Sequence, residues 1–502
     1  MRKTAIILLS FFLIFVTACS NSVETATEPD KPVSAQPAQE HTQGLLYNSE
    51  IPLNPLYTND KINGRISHLI YNGLYSLDKS YKPQPELAES CTIADNKIFD
   101  ITIRQGISFH SGAELTSSDV KYTIDTILNN SSSIYYDRLK EISSTETTGT
   151  YSLRITLNNT DALFLSMLDF PIVKSGAGKS DVNGTGRYKL QKGKLIYNDN
   201  YFNKSESKVL VKEIDLIANS DTDTSVSDFL NGKIGLLELS GDTKYEIKET
   251  GTRSAGSVVN NNLIYLGVNA GKRGLSNANV RRAISMAVNR VEDSESFVTV
   301  KPYVSYSCIN PSWYLFDHSA ISGSFDLKTS SSLLQAAGYN GNSQHIILNL
   351  SLLVNKENYD KVELAQHIAQ NLLSVGIKIT VDSRSWSDYT EALSSGDFDL
   401  YIGEVSIKND MDVTSLIGSG GSLNYGRYSN NDINNGINAV KNSADDASLK
   451  TSASNIIKLM DQEMPIIPLY FGVNEFVTLP SSKLALSSSV SDAFSGIEFT
   501  EK

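Results

Sequence analysis

The sequence predicts an α/β protein, and three observations carry that expectation. Between residues 346 and 402, apolar strand patterns alternate with helical ones at spacings that fit crossover connections. In the first half, Phe99, Ile101 and Ile103 alternate with Asp100 and Thr102, as a half-buried strand does. No internal repeat of about 20–50 residues is visible, which sets solenoids and propellers aside.

The elements follow in order. Ser20 to Gln43 is rich in Ser, Thr, Ala, Pro and Glu without periodicity and reads as a tether. Ordered sequence begins at Gly44-Leu45-Leu46-Tyr47. After the Phe99 strand, Phe109-His110-Ser111-Gly112 is turn-like, and Thr116 with Asp119 three residues on resembles a capping box. Val120, Ile124, Ile127 and Leu128 then recur at helical spacing, and residues 151–157 alternate as a strand. Gly184-Thr185-Gly186-Arg187-Tyr188 is a glycine turn before another strand, and residues 213–217 form a further one. Val280, Ala283, Ile284, Ala287 and Val288 mark a helix face with Asn277 as its cap. Residues 346–354 are a strongly apolar strand. Val362, Ala365, Ile368, Ala369 and Leu372 mark the next helix, which Gly376 ends in a left-handed cap. Ile377, Ile379 and Val381 alternate, Trp386 to Leu393 is helical, and Phe398, Leu400 and Ile402 alternate again.

The N-terminus has the pattern of a secretory signal. Arg2 and Lys3 precede an apolar run from Ala5 to Val16, too short for a membrane span. The run closes on Val16-Thr17-Ala18-Cys19, similar to a bacterial lipobox. This predicts a signal peptide over 1–18 and a lipid anchor on Cys19 that holds the chain at the outer face of the cytoplasmic membrane, periplasmic if the cell is Gram-negative. Removing residues 1–18 takes away Arg2 and Lys3 and moves the net charge from −12 to −14. That acidic balance excludes sequence-independent nucleic-acid binding, which needs clustered Lys and Arg. Beyond Cys19 two cysteines remain, Cys91 and Cys308. They read as separate buried thiols, with pairing in an oxidising exterior the alternative.

Enzyme and cofactor signatures fail on inspection. Gly176-Ala177-Gly178-Lys179-Ser180 ends like a phosphate-binding loop, but Val173 stands where its first glycine belongs. There is no HExxH, no GxSxG and no Cys/His spacing for zinc, and the six histidines are scattered. These absences point to a chain that is not an enzyme and carries no cofactor or metal. Gly418 to Gly421, followed by Ser422-Leu423-Asn424-Tyr425-Gly426, reads as a flexible loop at a cleft edge.

Five ordered segments resemble one family. The first runs from Asn54-Pro55 through Ile70-Tyr71-Asn72-Gly73-Leu74-Tyr75, Pro85-Glu86-Leu87-Ala88-Glu89-Ser90 and Ile103-Arg104-Gln105-Gly106-Ile107-Ser108-Phe109-His110-Ser111-Gly112 to Leu115-Thr116-Ser117-Ser118-Asp119-Val120. The others are Gly184–Tyr188, Leu266–Asn269 with Val280 to Arg290, Gly376–Ile379 with Trp386, Tyr389 and Asp397-Phe398-Asp399, and Met464-Pro465-Ile466-Ile467-Pro468-Leu469-Tyr470. Together they resemble the family 5 extracellular solute-binding proteins of ABC importers, which include oligopeptide, dipeptide and nickel binders.

The resemblance implies a two-lobed, periplasmic-binding-protein-like fold (class II, cluster C) with a discontinuous first lobe and an inserted subdomain. The expected boundaries are 44–82, 184–262 and 476–502 for lobe I, 83–183 for the insert and 263–475 for lobe II, after a 19–43 anchor and tether. It implies a monomer that closes over a peptide and delivers it to an ABC permease. His110, Arg104, Arg281 and Arg290 fall in scaffold motifs, the arginines as ion-pair partners. Peptide binders of the family pair an Asp with the peptide amine just past the strand that follows Asp397-Phe398-Asp399. Here that position falls on Ile407 or Lys408, so Glu404, Asp410 and Asp412 are the candidate substitutes, with Trp386 and Tyr425 as cleft walls. A sugar, a nickel chelate or haem is the alternative ligand, and a sensing lipoprotein uncoupled from import the alternative role. Free nickel is disfavoured, because no imidazole cluster is spaced for it.

Overall fold

A computed structural model describes residues 44–203, 211–218, 222–240, 253–272, 274–294 and 300–479. Cys19, the signal segment, the tether and residues 480–502 lie outside the described residues.

Three main sheets organise the chain. The first places Gly44–Tyr47 parallel to Glu213–Ala218, then Lys194–Tyr197 and Tyr188–Gln191 antiparallel. The second is an antiparallel sheet of Ala88–Ala94, Ile98–Ile103, Ser152–Leu157 and Ile142–Gly149. Inward residues of both sheets share one core, which joins Leu45, Leu195 and Ile214 to Phe99, Ile101, Leu153 and Ile155. The alternation read from Phe99 to Ile103 is thus a strand with every second side chain in that core.

The third sheet has the order Leu236–Leu239, Ile466–Thr478, Arg253–Val268, Leu400–Ser406, Leu348–Asn355, Ile377–Arg384, with Tyr303–Val304 added beside the 466–478 strand. The strands at 348–355, 377–384 and 400–406 are parallel, and helices Tyr359–Leu373 and Trp386–Ser395 make the crossovers. Both faces are covered, as parallel sheets require. Leu266, Leu350, Leu352, Leu400 and Ile402 pack with helices Ala278–Ala287 and Tyr359–Leu373 on one face. Leu263, Tyr265, Leu353 and Tyr401 pack on the other with helices Trp386–Ser395, Asn431–Lys441 and Asp446–Glu463.

The helix signals have clear physical counterparts. Asp119 accepts the Thr116 N–H (2.9 Å) at the start of helix Ser117–Leu128, and its other oxygen accepts from Lys174 and from the Ser175 N–H. Asn277 accepts the Asn279 N–H, and Gly376 takes φ 84° after helix Tyr359–Leu373. The glycines at 184 and 186 are required by contact: a Cβ on either would overlap the backbone of Ile70. His110 holds this turn, its N–H donating to the Gly184 carbonyl and Nε2 to the Gly186 carbonyl (2.9 Å).

One expectation is corrected. The motif arginines act chiefly as backbone clamps. Arg104 donates to the Glu86 carbonyl (2.8 Å). Arg290, fully buried, donates to the carbonyls of Pro468 (2.8 Å) and Ser285 (2.7 Å). Arg281 serves the carbonyls of Leu275, Ser276, Glu463 and Met464, with the Glu463 carboxylate farther off at 3.7 Å. The planar five-donor fork explains the choice: one guanidinium satisfies the orphan carbonyls that end helix Asp446–Glu463.

Arg281→Met strands several buried acceptors at about 1–3 kcal/mol each. We expect a loss of at least about 3 kcal/mol in urea unfolding; a midpoint equal to wild type refutes the clamp.

Candidate functional site

A cavity of about 40 Å³ lies where distant parts of the chain meet. Asp161 and Leu163 form one wall, from the loop after strand Ser152–Leu157. Ile309, Trp313, Asp410, Met411, Asp412, Val413, Lys441 and Met460 are among the residues opposite. The surround is apolar, with Leu163, Ile309, Trp313, Met411 and Val413 in one buried cluster.

A short set of hydrogen bonds joins the two walls. The Ala162 N–H donates to the Lys441 carbonyl (3.0 Å), and the Thr160 hydroxyl to the Asn442 side chain (2.8 Å). Asn96 donates to the Ser443 carbonyl (2.7 Å). Asp95 and Asn96 both adopt positive φ in the turn closed by the Lys97 N–H on the Ala94 carbonyl, and that geometry presents the Asn96 amide. Nearby, Asn409 donates to Asp169 (3.1 Å), which Arg138 also pairs (2.6 Å).

Three carboxylates and one ammonium face this space. Asp412 accepts the Lys441 ammonium at 2.9 Å and the N–H of Thr414 at 2.9 Å. Burial pushes the Asp412 carboxyl up, but Lys441 and Thr414 outweigh it and hold the group below the ordinary range. Asp410 accepts only the Asp412 N–H (2.9 Å) among the hydrogen bonds of the described residues. Burial first, then the Asp412 charge, raise the Asp410 carboxyl, with Lys408 and Lys441 opposing. Asp161 accepts the Leu163 N–H (2.9 Å); burial and then Asp410 push its carboxyl up to about 7. A single lysine cannot compensate three ionised acids in a low-dielectric space, so the site favours an added proton or cation.

The predicted site residues divide. Asp410 and Asp412 meet at the cavity. Glu404 lies elsewhere, on strand Leu400–Ser406, paired with Lys361 at 2.6 Å. Trp386, 61% exposed, stacks on Tyr389 with centroids 5.7 Å apart. Tyr425 meets Tyr401 edge-on at 6.2 Å. Ile407, one of the two residues expected at the family's acid position, is buried and donates its N–H to the Asn261 carbonyl (2.8 Å). Sequence reasoning missed Asp161, Lys441 and Trp313. Asp161 is a lone acid before an apolar run, and Lys441 ends an amphipathic helix; neither position carries a motif.

Cys91 and Cys308 are free thiols. Among the described residues no group of three or more His, Cys, Asp or Glu side chains is placed to hold a metal ion, and no helix is long and apolar enough to cross a membrane.

The chain combines helix-covered sheets with a cavity walled by distant segments. The chain belongs to the bacterial extracellular solute-binding proteins, family 5, whose model matches residues 82–426. This is a family of substrate-binding components of ABC importers, not of enzymes. The oligopeptide-binding protein AppA of Bacillus subtilis (strain 168) is 23% identical over 527 residues, covering 96% of this chain and 95% of the relative. The periplasmic murein tripeptide binding protein MppA, in an unliganded open form, superposes with a TM-score of 0.77 at 17% identity, over 92% of this chain and 98% of that one. The structure of Bacillus subtilis AppA in complex with a nonapeptide gives a TM-score of 0.61 at 20% identity, over 92% and 100%.

Asp161 and Asp410 hold protons that the unfolded chain has already lost. Their contribution to stability is complete below the ordinary carboxylate range near pH 3.8 and is lost as pH rises, for Asp161 through about 7 and for Asp410 in the same direction. Asp161→Asn should flatten this decline in melting temperature between pH 4 and 7; an unchanged slope rules out the buried acid.

Proposed function

We propose that this chain is the lipid-anchored solute receptor of an ABC importer and that it binds peptides between two lobes. In this reading lobe I comprises 44–82, 184–262 and 476–502, the insert 83–183, and lobe II 263–475. The observation that carries it is the cavity with Asp161 on one wall and Asp410 and Asp412 on the other. A peptide α-ammonium entering there supplies the positive charge that Lys441 alone does not, and the apolar walls accept an adjoining side chain. The relative AppA, named for oligopeptide binding, and the nonapeptide in its solved structure support a peptide over other solutes.

Binding by closure is a population shift: contacts made only when both walls meet favour the closed state. The bonds from Asn96, Thr160 and Ala162 to residues 441–443 form part of that closed contact. The loaded protein, held at the membrane by lipid on Cys19, then presents its ligand to the permease. Val16-Thr17-Ala18-Cys19 after an apolar run supports the anchor.

A ligand present at about a hundred times its Kd adds ~2.7 kcal/mol to the folded state. Free di- to octapeptides should therefore raise the melting temperature, and N-acetylated ones should not. Asp410→Asn should weaken binding at least tenfold with the fold intact. Stabilisation by a sugar, chelate or haem with silence from every peptide discards the peptide reading. In the native host, Cys19→Ser should release the chain into the soluble fraction, and retention at the membrane overturns the lipid anchor.

A further inference from the structure

A second, smaller cavity lies inside the 263–475 region, and Met460 lines both it and the acid-lined one. It has room for about 10 Å³, and Tyr306, Cys308, Met460, Asp461 and Met464 are among its lining residues. The volume is about that of one water-sized sphere, so the space admits a single ion or water and excludes an organic ligand.

Its donors are unusual in kind. The Cys308 sulfur lies 3.3 Å from the thioether sulfur of Met460, and both side chains are buried, at 2% and 5% exposure. Met464, 4% exposed, lines the same space. Asp461 is 5% exposed. Its Oδ2 accepts the N–H and hydroxyl of Ser322, while its buried Oδ1 has no hydrogen-bond partner. No ion pair to Asp461 occurs among the described residues. The residue bearing this orphaned oxygen lines the same small space as the two sulfurs, a space sized for one ion.

We propose that Cys308, Met460 and Asp461 form a buried site for one soft monovalent metal ion, copper(I), with silver(I) as its analogue. Thiolate and thioether ligands select such ions over calcium, magnesium or manganese, which prefer oxygen. Two sulfurs bound to one ion at about 2.3 Å, the metal–thiolate length known from zinc, lie at most about 4.6 Å apart. The observed 3.3 Å therefore brings both within reach of one ion. Asp461 Oδ1 adds a third donor of negative charge, and the ion satisfies it. On binding, the Cys308 S–H bond breaks, its proton leaves to solvent, and the sulfur lone pair bonds the metal, which stays in the +1 state. The full set of ligands is assembled from two directions: Cys308 from the segment after strand Tyr303–Val304, and Met460 and Asp461 from the last turn of helix Asp446–Glu463.

The test uses the full chain carrying Cys19→Ser and Cys91→Ser, so that Cys308 is the single thiol. Silver(I) is titrated with native mass spectrometry and thermal melting as readouts, and copper(I) is competed against a chelator. One ion per chain and a raised melting temperature are expected, with affinity reduced at least a hundredfold by Cys308→Ser. Simple capture by a thiol would leave Met460→Leu and Asp461→Asn at the parent affinity, and that result overturns the proposal. The proposal expects each to weaken binding at least tenfold. Met460→Leu conserves volume, and its unliganded melting curve checks that the fold survives. Failure of silver(I) to bind the folded parent chain also overturns the site. Because Met460 also lines the acid-lined cavity, peptide binding is read separately on Cys308→Ser and Asp461→Asn, which line only the smaller one.

Discussion

The antiparallel ladder between Arg253–Val268 and Ile466–Thr478 is the constraint on which the rest of the structure depends. These strands, 16 and 13 residues long, pair with Leu236–Leu239 at one end and with Leu400–Ser406 at the other. The ladder is broken between Val259 and Leu263, where the register shifts. A bulge bends a strand and leaves backbone groups unpaired, and here side chains take over. Asn310 donates to the Asn260 carbonyl (3.1 Å) and the Asn261 side chain (2.8 Å), and the Tyr81 hydroxyl donates to the Val259 carbonyl (2.8 Å). Asn260 donates to Asn474 across the pair (2.8 Å). The pair of strands thus carries, at one of its three register shifts, a kink whose backbone groups are answered by side chains.

Around that spine, polar groups are placed so that their satisfaction depends on assembly. The acid-lined cavity is the sharpest case. Asp412 is answered by Lys441 within one region of the chain, whereas Asp161 comes from the far wall and finds another acid. Bringing the walls together without a compensating charge is opposed by desolvation and like-charge repulsion. In the proposed function a cationic ligand group removes that opposition, which would make closure conditional on the ligand. The apolar walls supply contact area, and the acids supply the condition.

Much of the scaffold was legible from local sequence. Thr116 with Asp119, Asn277 and Gly376 announce helix ends because capping uses groups a few residues apart. The strands near 99–103, 348–355 and 377–384 show in the sequence because burial on one or both faces imposes a pattern on adjacent residues. The five family segments were readable for the same reason: each is a short run whose turn or helix start is set locally. The candidate site was half legible. Asp410 and Asp412 stand out as acids in a loop that should carry one, but Trp386, Glu404 and Tyr425, equally plausible in sequence, lie away from the cavity. Arg281 and Arg290 look like ion-pair residues in a linear chain, and only their burial against helix-end carbonyls shows them as clamps.

The sequence by itself determined the α/β class, the order of the main elements, three helix ends and the family, because these rest on spacing within a few residues. The tertiary structure decided which charges meet. Asp161 and Lys441 are 280 positions apart, and Cys308 and Met460 are 152 apart. No periodicity links such pairs. Electrostatic and packing interactions act through a few ångströms of space and are blind to distance along the chain, so only the folded packing brings these groups together.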